Sequence, residues 1–79
     1  MFYVYILNSL IEKDRMYVGR TSDVENRLKE HNAGESIHTN KYIPWKLATY
    51  LAFDSKEKAV AFERYLKSGS GRSFSKRHL

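Results

Sequence analysis

Tyr5 and Tyr17, separated by eleven residues, Arg27, His31 four positions later and Glu63 are the side chains of this 79-residue chain whose types could combine into chemistry. A guanidinium and an imidazole suit the nonbridging oxygens of a phosphodiester. A lone carboxylate suits one Mg²⁺ or Mn²⁺ that completes its shell with water, and a phenol can relay a proton. An ordinary phenol has a pKa of about 10, so only about one in a thousand is ionised at neutral pH; bringing it to 7 takes about 4 kcal/mol of charge stabilisation. A neighbouring arginine and a bound cation can contribute that much. Each residue also has a plainer reading. Tyr5 and Tyr17 could be core aromatics, Arg27 a solvated helix residue, His31 a partner for a helix C-terminal dipole, and Glu63 half of an ion pair with Arg27.

The elements that must position these groups follow from the pattern of apolar residues. Phe2 to Leu7 sets Phe2, Val4 and Ile6 against Tyr3, Tyr5 and Leu7, all large, which predicts a strand buried on both faces. Met16 to Arg20 predicts a second strand, joined to the first through the polar stretch Asn8 to Arg15, so that Tyr5 and Tyr17 lie on neighbouring strands. Ser22-Asp23-Val24-Glu25 reads as a capping box with Ser22 as the cap, opening a helix whose stripe is Val24, Arg27, Leu28 and His31 and whose stop is Asn32-Ala33-Gly34. Arg27 and His31 could equally flank a narrow apolar seam and reach water.

Glu35 to Pro44 has no period and predicts an irregular loop carrying His38 and Lys41. Trp45 to Phe53 alternates Leu47, Thr49, Leu51 and Phe53 against Ala48, Tyr50 and Ala52, a third strand. Asp54-Ser55-Lys56-Glu57 caps a second helix, on which Glu63 shares a stripe with Ala59, Phe62 and Leu66; Gly69 is expected to end it, with a short last helix over Arg72 to Leu79. If both main helices cover one face of the sheet, their polar stripe members meet the two tyrosines at its edge. The Ser68-Gly69-Ser70-Gly71 run could cradle a phosphate, although a plain turn between helices accounts for it, and no Walker-type lysine accompanies it.

Composition bounds these possibilities. A chain of this size buries only about 60% of its unfolded surface, enough for one core, so residues 1–79 are expected to form a single domain. With 42% hydrophobic and 14% aromatic residues it is too rich in core formers for a disordered basic tail. Absence of cysteine excludes a disulfide framework, a thiolate zinc site and a catalytic thiol. The 14 Lys and Arg against 9 Asp and Glu leave a net charge of +5, which favours a polyanionic partner, nucleic acid first and anionic membrane second. No segment approaches the roughly 20 apolar residues of a membrane span, and no basic leader precedes the first strand, so no membrane association and a cytoplasmic location are expected.

Tyr3-Val4-Tyr5, the eleven-residue interval, Tyr17-Val18-Gly19, Arg27, His31 and Glu63 together resemble the GIY-YIG nuclease superfamily, most of all its small single-domain members, and the resemblance runs over nearly the whole chain. It implies a compact α/β domain: a three-stranded, mainly antiparallel sheet flanked by two or three helices. It also implies a metal-dependent endonuclease in which the two tyrosines surround the attacking water, one as general base, and Arg27 contacts the scissile phosphate. His31 matches a histidine found there in several members, Glu63 the ligand of a single divalent cation, and Gly19 the glycine that admits close approach. Arg20 beside it, together with His38 and Lys41, completes the expected substrate contacts. DNA is favoured over RNA, and a separate protein partner for substrate recognition fits so small a domain. Tyr3 stands where the name pattern has Gly. The Asn that some relatives carry beyond the glutamate has no counterpart from Arg64 to Leu79, where Ser75 lies at about that distance.

Overall fold

The computed structural model describes all 79 residues. Strands β1 (Phe2–Ser9), β2 (Met16–Thr21) and β3 (Trp45–Phe53) form one antiparallel sheet in the order β2-β1-β3. Helices α1 (Val24–Asn32), α2 (Lys56–Leu66) and α3 (Gly69–His78) complete it, with a 3₁₀ turn at Asn40–Tyr42 inside the loop before β3. This is the expected three-stranded α/β domain.

β1 lies in the middle, and Val4, Tyr5, Ile6 and Leu7 are all buried. Its alternation sends Val4 and Ile6 into one cluster with Val18, Ala59 and Leu66, while Tyr5 and Leu7 join Trp45 in a second. α2 supplies the cover of the first cluster, with Phe74 of α3 packed against it; Val24 and Leu28 of α1, with Tyr42 and Ile43 of the loop, cover the second. The helices therefore flank opposite faces of the sheet, so the condition that both cover one face is not met. The reason is β1 itself: a central strand that is apolar on both sides leaves neither face to water.

Three local readings change. Asp23, rather than Ser22, caps α1 by accepting the Asn26 N–H at 3.1 Å, and Thr21 Oγ1 in turn accepts from the Asp23 N–H. Either residue type can cap, but a carboxylate also favours the positive end of the helix. The alternation of β3 is broken by an irregularity opposite Ile6 and Leu7, so Leu47 pairs with Leu7 on the α1 side whereas Leu51 pairs with Val4 on the α2 side. Gly69 does not end α2 but opens α3, because Ser68 caps that helix at the Gly71 N–H. A Cβ on Gly71 would overlap the Tyr65 carbonyl, so this glycine lets α3 press against the end of α2.

Candidate active site

The register of β1 against β2 sets Tyr5 opposite Gly19 and Leu7 opposite Tyr17. The Tyr5 ring extends over Gly19, where a Cβ would collide with the phenol and stand 2.9 Å from the Tyr17 ring. Glycine at 19 is thus a steric requirement of the phenol pair, whose ring centroids are 6.2 Å apart.

α1 lays His31 beneath both rings, 4.9 Å from Tyr17 and 5.9 Å from Tyr5 between centroids. His31 is fully buried, so it does not reach water from the edge of a seam. Its Nε2 shares a 2.8 Å hydrogen bond with the Tyr5 hydroxyl and its Nδ1 a 2.7 Å bond with Thr39 Oγ1. Both partners are hydroxyls that can donate or accept, so a neutral imidazole is satisfied in either tautomer. Burial, reinforced by the Arg27 charge, holds the His31 pKa below its ordinary value. Burial also pushes the Tyr5 phenol up to about 12; Arg27 opposes that rise, and the negative charges available to Tyr17 and Glu63 add to it. Tyr5 is therefore a neutral phenol at physiological pH, whereas the Tyr17 side chain remains partly open to solvent.

Arg27 sits one turn before His31 on α1, half-exposed, with Nη1 2.9 Å from Glu30 Oε1. It is not the partner of Glu63. That carboxylate, on the α2 side of the sheet, meets Arg20 Nε at 3.4 Å and Lys67 Nζ at 3.3 Å, with 19% of its side chain exposed. Arg20 can do this because it pairs across from Val4 and so shares the α2 face, while its neighbours Gly19 and Thr21 share the other. Glu63 and the phenols therefore lie on opposite faces of the sheet, beside the edge strand β2.

Nowhere do three or more His, Cys, Asp or Glu side chains gather into a metal cluster. A cation at Glu63 would take that carboxylate and fill its shell with water and substrate oxygens, a donor set that suits Mg²⁺ or Mn²⁺. Arg20 and Lys67 occupy the same oxygens, so they compete with such an ion until other anions draw them away.

The structure brings Tyr5, Tyr17, Gly19, Arg27 and His31 together on one face of the sheet and Arg20 and Glu63 on the other. His38 and Lys41 are exposed on the loop and make no polar contact with these groups. The loop residue that does reach in is Thr39, fully buried, whose carbonyl also accepts the Trp45 indole N–H at 2.9 Å. No pattern in an aperiodic loop marks it. Asn32 was likewise read only as part of the helix stop; its amide bonds both the N–H and the C=O of Trp45, fixing the end of α1 to the start of β3. Ser75 is buried in α3 with no partner for its hydroxyl, so it does not face solvent as a substrate contact must.

The GIY-YIG catalytic domain model matches residues 1–77. A UPF0213 protein of Haloquadratum walsbyi is 40% identical over 67 residues, covering 84% of this chain and 73% of that protein. A UPF0213 protein of Streptococcus pyogenes serotype M3 is 39% identical over 72 residues, covering 90% of this chain and 76% of its own length. No solved structure matches. The continuous match over nearly the whole fold, with the paired tyrosine strands at its centre, makes this chain a member of the GIY-YIG family of nuclease-type catalytic domains.

Proposed function

We propose that the domain is a metal-dependent endonuclease that hydrolyses phosphodiester bonds of nucleic acid, DNA in preference to RNA. The observation that carries this reading is the setting of the Tyr5 hydroxyl: His31 Nε2 of α1 shares a 2.8 Å hydrogen bond with it and the Tyr17 ring of β2 stands 6.2 Å from its own, so β1, β2 and α1 meet there. Of the two phenols, Tyr17 is the one partly open to solvent and suits the general base. It takes the proton of the water that attacks phosphorus in line; as the new P–O bond forms the one opposite breaks, and the leaving oxygen departs with that electron pair and takes a proton from solvent water. Arg27 steadies the negative charge on the phosphoryl oxygens. Tyr5, neutral and tied to His31, holds its neighbour's ring and the water in position.

Glu63 would hold one Mg²⁺ or Mn²⁺, which when bound supplies positive charge that polarises the phosphate. Arg20 and Lys67, beside Glu63, turn to phosphate oxygens when substrate enters. The test uses purified protein with branched, single-stranded and duplex DNA in Mg²⁺, Mn²⁺ or EDTA, beside Glu63→Ala and Tyr17→Phe. Cleavage that needs metal and falls at least a hundredfold in both variants is expected. Equal binding without cleavage by any of the three proteins would make the domain a nucleic-acid-binding module instead.

A further inference from the structure

A cleft of about 630 Å³ opens beside the candidate site, between the β1–β2 loop and the α2–α3 junction. Tyr17 forms part of its floor; Lys13 and Arg15 stand on the loop wall, and Lys67, Arg72 and Lys76 on the helical wall. Two acidic residues, Glu12 and Asp14, also line it, but Glu12 is taken by Arg15 at 3.0 Å. With Lys67 paired to Glu63, Asp14 is left with Lys13, Arg72 and Lys76, so positive charge dominates. Arg72 and Lys76 lie four residues apart on α3, hence on one side of that helix and about 6 Å apart along its axis. Neither forms an ion pair, and both are exposed, as is Lys13.

Lys67 ties this cleft to the chemistry, because its ammonium reaches Glu63 at 3.3 Å while its side chain lines the cleft. A chain of cations thus leads from the carboxylate outward past Tyr17. By contrast, the outer face of α2 carries Lys56 and Arg64 beside Glu57, around a shallow surface with no connection to the tyrosines. We infer that the cleft between the β1–β2 loop and α3 is the track of a single nucleic-acid strand, with Lys13, Arg72 and Lys76 on the phosphates that flank the one at Tyr17. The inference rests on the reading of the site as a phosphodiester hydrolase and adds where the rest of the strand runs. The sugar-phosphate chain is the occupant because the lining offers separate point charges rather than a pocket shaped for one anion, and aromatic or hydrogen-bonding groups that would read a base are few.

The experiment measures fluorescence anisotropy of a labelled single-stranded oligodeoxynucleotide in EDTA at several salt concentrations, and cleavage of the same strand in Mg²⁺. Arg72→Glu/Lys76→Glu is compared with Lys56→Glu/Arg64→Glu, which changes the net charge equally. Circular dichroism confirms that both fold. The cleft variant is expected to bind about tenfold more weakly than the control, and Arg72→Ala/Lys76→Ala to reduce the salt slope by about 1.4. Equal weakening in the two reversals would overturn the track and leave only whole-molecule charge. Binding that is lost in the cleft variant while the parent protein never cleaves would keep the track and remove the hydrolase. Should a misfolded reversal intervene, Lys13→Ala with the alanine pair decides by the salt slope alone.

Discussion

A buried imidazole between two hydroxyls makes the stability of this domain sensitive to acid. His31 has its pKa depressed by burial and by Arg27. In the unfolded chain it titrates near its ordinary value of about 6.5. Below that pH the unfolded state takes up a proton that the folded state resists, so the contribution of His31 is complete above about 6.5 and declines as pH falls towards the folded pKa. Urea midpoints measured from pH 7.5 down to 5 should fall more steeply for the parent protein than for His31→Gln. Tyr5 adds a sensitivity to alkali by the opposite route. Its phenol is raised to about 12, so stability present below about pH 10 is lost as pH rises through the folded value. Removing that hydroxyl leaves His31 Nε2 without its buried partner. Tyr5→Phe should cost about 2 kcal/mol and lower the thermal midpoint by about 10 °C, read by circular dichroism.

At the scale of elements, the contact between α2 and α3 depends on a residue with no side chain. Ser68, the cap of α3, directly follows Lys67, the cap of α2, and the backbones then pass so closely that Gly71 faces the Tyr65 carbonyl. Gly71→Ala should destabilise the domain by about 3 kcal/mol, since a backbone cannot step aside as a side chain can. Thermal unfolding checks this, and Gly69→Ala is the matched control: that position has open space around it and should be neutral or slightly stabilising. The same junction carries Lys67 and Arg72 into the cationic cleft, so loosening α3 is expected to weaken nucleic-acid binding together with stability.

The whole molecule measures 30 × 26 × 18 Å, less than one turn of duplex in its longest dimension. A surface of that size reads little sequence, and with a net charge of +5 the proposed function expects backbone attraction to be its main source of affinity. With three or four phosphates neutralised on a single strand, the salt slope should lie near −2.5, so affinity falls about thirtyfold between 50 and 200 mM salt. Titration of one labelled oligonucleotide at those concentrations tests it, and unrelated strands of equal length should give matching curves. No helix is long and apolar enough to cross a membrane.

The sequence by itself determined the three strands, the two capped helices and the order of Tyr5, Tyr17, Arg27, His31 and Glu63 along them. Strand alternation and helix period are local signals, written wherever one face of an element is buried. It also required cover on both sides of β1, because both of its faces are apolar. Which charge meets which was decided only by tertiary structure. Glu63 pairs with Arg20 and Lys67 instead of Arg27 because α1 and α2 lie on opposite faces of the sheet, and the irregularity in β3 shifts its alternation where β1 forces it. Thr39 became the support of His31 through a loop fold that no period encodes. Such pairings depend on the relative placement of distant segments, which is fixed by packing and not by the residues on either side.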